Sequence, residues 1–428
     1  MTFKKPINEN YCGTVVEIKN LIPIENCDNV VHTSIFGNLV IVEKIVPIGT
    51  IGVYFPVETQ LSEEFLYNNN LYRHSERNKN PEKKGYFEDT GRIRAVAFRG
   101  NVSNGFFIPL NYFDYLGNID FKVGDCFDEI LGKQICQKYV VKNTPSQTKP
   151  GEGKRAKKQI SRLVDNQFRF HIDTPQLGKN IHMIHPNDVI QCSRKFHGTS
   201  LVSSKVLAKR KLNLFEKALK FIGVKIQDTE YQNFYSSRKV IKNEFETSNF
   251  NSFYKTDIWG KANDLLKEHL ENGMTIYAEI VGYVDEFKMI QDAYDYGCKP
   301  GEFKVYIYRI TLTNNEGKVY EFTAKQVQEW CKQRGLNPVV ELYYGTASNY
   351  YQVKSQSTWN DDLLKLLTID YLEKDCVECI YHKVPDEGIV IRVEGLDLKV
   401  FKFKSWRFVK EETTGLDIGK ENIEDTGE

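Results

Sequence analysis

From residue 11 to residue 142, short apolar runs alternate with clusters of turn-forming residues, and the side-chain period of two marks them as β-strands. The pattern predicts strands at 12–18, 30–36, 39–44, 52–55 and 93–98, with Gly37-Asn38 as a tight hairpin turn between the second and third. About five such strands suit a small β-barrel, of which the oligonucleotide-binding (OB) fold is a widespread type. Residues 68–89 are polar, charged and weakly periodic, and read as a long loop.

The pattern then changes. Residues 143–158 hold Pro, Gly and Ser without an apolar anchor and end in Lys154-Arg155-Ala156-Lys157-Lys158. This is a linker whose basic run is either a solvated tether or a contact to a phosphate backbone. Beyond residue 160, strands alternate with helical patterns. Ala262, Leu265, Leu266 and Leu270 share one helical face that Gly273 ends. Strands are predicted at 275–281, 304–313, 388–393 and 398–403. The expected fold class is α+β: a small OB-like barrel domain over 1–142, a basic linker over 143–160, and an antiparallel-sheet domain over 161–428. Segment 205–225 carries Lys205, Lys209, Arg210, Lys211, Lys217, Lys220 and Lys225 against Glu216, with Leu212, Phe215, Leu219 and Ile222 at helical spacing. It reads as an amphipathic insert, either a solvated helix packed on the domain or a contact to a duplex backbone.

Composition narrows the class. A chain of 428 residues with 41% hydrophobic residues is too long for one average core and too apolar to be wholly disordered. Its 58 Lys+Arg and 57 Asp+Glu nearly cancel, so any nucleic-acid surface must be a local patch. No stretch approaches the roughly 20 apolar residues that span a bilayer, and the start leads into no apolar signal region. A soluble intracellular monomer with no membrane partner is expected. Nine cysteines fit reduced thiols, and Cys376-Val377-Glu378-Cys379 lacks the second pair that a structural zinc would need.

Candidate chemistry centres on Lys195 in Lys195-Phe196-His197-Gly198-Thr199-Ser200. A lysine nucleophile needs desolvation or neighbouring positive charge to expose its lone pair. In Phe401-Lys402-Phe403-Lys404 the period of two puts Lys402 and Lys404 on one strand face, where they could hold a phosphate; by itself the pair could equally sit in solvent. Glu279, within Ile276-Tyr277-Ala278-Glu279-Ile280-Val281, and Glu387, at the head of a predicted strand, are natural carboxylate ligands for a divalent metal.

The order of these blocks resembles the covalent nucleotidyltransferases: ATP-dependent DNA and RNA ligases and mRNA capping enzymes. Lys-Phe-His-Gly-Thr-Ser is similar to the RNA ligase form of the nucleophile motif. Phe168-Arg169-Phe170-His171-Ile172-Asp173-Thr174 is similar to a segment of the fifth RNA ligase family, nick-sealing enzymes with an amino-terminal OB domain.

The resemblance implies ATP and Mg2+ or Mn2+ as cofactors and adenylation of Lys195. It assigns Gly198 and Glu279 to nucleotide binding, Glu279 and Glu387 to metal binding, and Arg238 in Ser236-Ser237-Arg238 to a 5′-phosphate or the nucleotide. Tyr308 would stack on adenine, with Tyr306 as competitor, although Arg309 stands where ligases commonly carry Asp. The implied activity is joining of 3′-OH and 5′-phosphate ends at nicks in RNA or RNA-containing duplexes through a lysyl-AMP intermediate. A capping-type guanylyltransferase, a DNA ligase and a non-catalytic nucleic-acid-binding protein are the alternatives.

Overall fold

The computed structural model describes residues 3–141, 162–243, 256–354, 357–371 and 373–419. The basic run 154–158 and the linker around it lie outside the described residues.

The amino-terminal strands used below are β1 (Gly13–Glu17), β2 (Val30–Ile35), β3 (Asn38–Glu43), β4 (Ile51–Phe55), β5 (Phe106–Pro109) and β6 (Cys126–Phe127). Antiparallel pairing orders four of them β6-β1-β4-β5. β2 and β3 form a hairpin in a separate three-stranded sheet. The hairpin turn falls one residue earlier than expected: Ile35 pairs with Asn38, and Phe36 (φ 53°) and Gly37 (φ 78°) make the reversal. Two successive left-handed residues are what a type I′ turn demands.

The strands close no barrel among the described residues, and the side chains explain why. Val15, Val53 and Phe55 pack on one side with Phe65, Phe113 and Phe127. Val16 and Tyr54, the intervening positions, pack on the other with Val31, Ile35, Val40 and Val42. A sheet apolar on both faces needs a cover on each, so it is sandwiched rather than rolled around a single interior. The expected strand at 93–98 joins neither sheet: Ala95–Phe98 pairs with Asn101–Asn104. The polar loop 68–89 is anchored by buried Tyr72 and Phe87, and the Asn78 side chain holds the Tyr72 backbone.

The second half contains β7 (Val189–Arg194), β8 (Thr199–Lys209), α1 (Leu214–Phe221), β9 (Thr229–Ser236), α2 (Ile258–Leu266), β10 (Met274–Gly282), β11 (Phe303–Thr313), β12 (Val319–Glu321), α3 (Ala324–Arg334), β13 (Glu341–Thr346), α4 (Trp359–Tyr371), β14 (Gly388–Val393), β15 (Lys399–Lys404) and α5 (Trp406–Asp417). Two antiparallel sheets result, β13-β7-β14-β15 and β9-β8-β10-β11-β12, the latter extended by a short parallel pairing of Asn337–Pro338 to β11. α4 covers the first sheet through Trp359, Leu363 and Leu367 against Ile190, Ile389 and Phe401. α2 and α3 cover the second through Trp259, Ala262, Leu266, Val327 and Cys331 against Ile276, Ile280 and Ile307. The facing sides of the two sheets leave a cleft between them.

Two expectations change here. Leu265 is exposed, because α2 begins at Ile258 and its buried face is Ile258, Trp259, Ala262 and Leu266. In the insert, Lys205 and Lys209 belong to β8, the helix is only Leu214–Phe221, and none of its residues is buried. It is therefore not packed on the domain. Among the described residues no helix is long and apolar enough to cross a membrane, and all nine cysteines are free.

The two halves meet along α5. Arg92, whose side chain is 3% exposed, binds both oxygens of Glu58 (2.8 and 2.7 Å) and Asp417 (2.8 Å), while Thr413 donates to Glu58 at 3.0 Å. Trp406 packs beside Val57 and Ala95. Removing one partner of a buried ion pair strands the other charge, so Arg92→Ala should lower stability by about 3–5 kcal/mol. Removing both charges with Arg92→Met/Glu58→Leu should restore most of it. Chemical-denaturation midpoints check both expectations; equal midpoints for wild type and Arg92→Ala would refute the first.

Candidate functional site

Lys195 is the residue after β7. The pairing of β7 with β14 ends at Arg194↔Ile389, and the Lys195 amide then donates to the Gly388 carbonyl at 2.9 Å. That bond sets Lys195 beside Glu387, with Nζ 2.7 Å from Oε1. Gly388 has φ 132°, and a Cβ there would stand 2.1 Å from the Phe403 carbonyl. Only glycine lets the strand begin so close to β15.

Glu387 is 3% exposed, and its Oε2 has no hydrogen-bond partner among the described residues. A buried, unsatisfied carboxylate oxygen facing a cleft fits a divalent cation. The described residues hold no group of three or more His, Cys, Asp or Glu that could bind a metal. A cation here would complete its shell with water and ligand oxygens, as magnesium commonly does.

β15 places Lys402 and Lys404 along the cleft, while Phe401 and Phe403 pack into the core beneath α4. Lys404 Nζ lies 2.8 Å from each Glu412 oxygen and 3.8 Å from Glu387 Oε1. Burial alone would lower its pKa, but Glu412 and Glu387 outweigh that and hold the ammonium charged well above the usual lysine range. On the other side of Lys195, Arg194 contacts Glu378 (2.5 Å) and Asp386 (2.7 Å). Burial pushes the Asp386 carboxyl up to about 6, with Arg194 opposing the rise.

Glu279 lies on β10 opposite Ser200 of β8. Its Oε1 accepts from the Gly198 amide at 3.1 Å. A Cβ on Gly198 would stand 2.2 Å from the Ile280 carbonyl, so close backbone approach accounts for this glycine. Tyr306 stacks on Phe196 with ring centroids 4.1 Å apart, and that contact occupies its face. Tyr308 instead lines the cleft, with its hydroxyl 2.9 Å from His171 Nδ1. Arg309 forks onto Glu321 and lies 4.4 Å over the Tyr277 ring, so it serves an internal ion pair. Arg238 pairs with Asp173 at the cleft wall.

These residues surround one cavity of about 920 Å³. Lys195, Glu279, Glu387, Lys402, Lys404, Tyr308 and Arg238 all line it; Gly198 and Tyr306 do not. Sequence reading gave no role to Glu412, His171 or Asp173. It also missed Tyr11, Lys138 and Tyr139, which bring the amino-terminal region to the same cavity. His171 and Asp173 lay inside a segment singled out for its wording. Nothing in the local pattern marked the others.

A family model described as RNA ligase matches residues 188–404. Solved structures of a Naegleria gruberi RNA ligase share the fold. A lysine-to-methionine mutant with AMP and Mn is 16% identical over 93% of this chain and 98% of that one, at a TM-score of 0.57. A lysine-to-alanine mutant with ATP and Mn is 15% identical over 93% and 98%, at 0.57. The ligase with pyrophosphate is 16% identical over 95% and 100%, at 0.56. No curated protein matches the chain.

Gly198→Ala should force β8 away from β10 and cost about 1–3 kcal/mol as overpacking. A thermal melt of this variant coinciding with wild type would show that the strands yield without strain.

Proposed function

The chain belongs to the RNA ligase family, and from that premise we propose that it is an ATP-dependent, nick-sealing enzyme of the fifth RNA ligase type. It joins 3′-OH and 5′-phosphate ends in RNA or RNA-containing duplexes. The observation that carries this reading is Lys195, 2.7 Å from buried Glu387, in the cavity that Lys402 and Lys404 also line. The Naegleria ligases were solved with ATP, AMP, Mn and pyrophosphate, all of which have a place in the scheme.

Lys195 Nζ attacks the α-phosphorus of ATP, the bond to the bridging oxygen breaks, and pyrophosphate leaves. An oxygen of the RNA 5′-phosphate then attacks the lysyl-AMP phosphorus and frees Lys195. Finally the 3′-hydroxyl attacks the activated 5′-phosphate and AMP leaves. Each step is a displacement at phosphorus, so catalysis is positioning and charge stabilisation. In the free protein Glu387 holds Lys195 as an ion pair, and the lysine must shed its proton to Glu387 or solvent before attack. A divalent cation at Glu387 would shield triphosphate charge and favour the neutral amine. Lys404, kept charged, faces the phosphates as a fixed cation, and Glu412 holds its ammonium in place. Tyr308 is the aromatic positioned to stack on adenine, and Arg238 to meet a phosphate by exchanging Asp173.

The proposed division is an RNA-contacting region over 1–142, the linker over 143–160 and the transferase over 161–428. Tyr11, Lys138 and Tyr139 in the shared cavity support a substrate role for the first region.

Mass spectrometry after ATP and Mn2+ should find AMP on Lys195, and Lys195→Ala should carry none while remaining folded. A GMP adduct formed only with GTP would indicate a capping-type enzyme; no adduct at all would indicate a non-catalytic binding protein. Glu387→Ala should slow adduct formation by about two orders of magnitude or more, and Glu412→Ala by about tenfold. Nicks with ribonucleotides on the 3′-OH side should be sealed much faster than all-DNA nicks, because terminal 2′-hydroxyls distinguish the two. Equal sealing rates would instead assign a DNA ligase.

A further inference from the structure

The hairpin between β8 and β9 carries a feature that ligation does not use. α1 begins with a reciprocal cap: Asn213 accepts from the Glu216 amide at 2.8 Å and Glu216 accepts from the Asn213 amide at 2.8 Å. A two-turn helix is marginal without packing of its apolar face, yet here that face is bare. Leu214, Phe215, Phe221 and Ile222 are 84, 71, 92 and 71% exposed, and Val224 beyond them is also exposed. Leu214, Ala218, Phe221 and Ile222 follow one another at helical spacing on one side, with Phe215 and Leu219 beside them. Glu216, Lys217 and Lys220 occupy the opposite side. A contiguous apolar face of this kind marks an interaction surface.

Charge identifies the partner. Residues 205–228 hold seven cations against Glu216 and Asp228, although the whole chain carries only +1. Each carboxylate is matched by one cation, Glu216 by Arg210 at 2.6 Å and Asp228 by Lys220 at 2.5 Å. The excess is therefore positive and flanks the apolar face at both ends, through Lys209 before it and Lys225 after it. A nucleic-acid duplex would satisfy the lysines but leave the phenyl and aliphatic groups in water. A bilayer interface with anionic headgroups satisfies both, with lysines at the phosphate plane and the apolar face at the acyl boundary.

We propose that α1 is an interfacial anchor that docks the protein on anionic lipid membranes. The expectation of no membrane partner rested on the lack of a spanning segment, and an interfacial helix needs none. α1 lies outside the cavity lining, so docking leaves the ligase site open to solution.

Sedimentation of the full chain with phosphatidylcholine vesicles, with and without phosphatidylserine, tests this. Binding is expected only to the anionic vesicles and should weaken with salt. Phe215→Glu/Phe221→Glu should reduce it more than about tenfold, as should Lys217→Glu/Lys225→Glu. Both variants should form lysyl-AMP and seal nicks in lipid-free solution like wild type. No vesicle binding by wild type overturns the proposal, as does unchanged binding by the phenylalanine variant. Loss of nick sealing by that variant would place the face on RNA instead. The vesicle readout does not depend on the ligase reading, so the two can fail separately.

Discussion

A carboxylate at 3% exposure is costly to bury unless cations surround it, and Glu387 is held between two of them. Lys195 and Lys404 both approach its Oε1, and Glu412 backs Lys404 in turn. This row of alternating charges constrains the local backbone. The peptide after Glu387 must be glycine so that β14 can start against β15, and the Glu387 carbonyl accepts from the Ser405 amide at 2.9 Å. Ser405 then caps α5 by accepting from the Phe408 amide at 3.2 Å. Strand, cap and helix are thus tied to one carboxylate.

That tie extends to the amino-terminal half through α5. Glu412 faces the cleft and Lys404, while Thr413 and Asp417 face Arg92 and Glu58. The start of the chain is fastened separately: Gln176 donates from its amide to the Asn10 side chain at 3.0 Å, and the Asn10 side-chain amide donates to the Thr174 carbonyl at 3.2 Å. Glu58 shows what such a joint costs. Burial raises its pKa even with Arg92 and Thr413 lowering it, so the joint depends on Arg92 being present.

The strands were legible in the sequence because alternation is a local signal, and β1 to β4 fall within a residue or two of the predicted runs. Whether they close into a barrel was not, because closure depends on which strands pair, and alternation says nothing of partners. The adjacent apolar positions Val15 and Val16, or Val53 and Tyr54, were the available hint that both faces of the sheet are covered. In the site, Lys195, Glu387, Lys402 and Lys404 were legible as strings, since each sits where a strand turns or alternates. Glu412 was not, because it lies eight positions beyond Lys404, across the strand end and into the helix, and only the fold returns it there. Which of Tyr306 and Tyr308 lines the cavity needed the fold, which stacks Tyr306 on Phe196 and leaves Tyr308 on the cavity.

Net charge was equally blind to the arrangement. Near-equal totals of 58 and 57 conceal a cleft where cations outnumber the carboxylates they face and a hairpin where they outnumber them further. In the cleft the cations are mostly half-buried, and their electrostatics act at short range on whatever phosphate enters, less screened by salt than on an open surface. On the hairpin the excess is in water, and salt weakens it within a Debye length of about 8–10 Å. The same residue type therefore does two different jobs. Lys404 is fixed by Glu412 and held charged, whereas Lys217 and Lys225 sit in a solvated setting where only a surface of many anionic groups gives them appreciable binding energy.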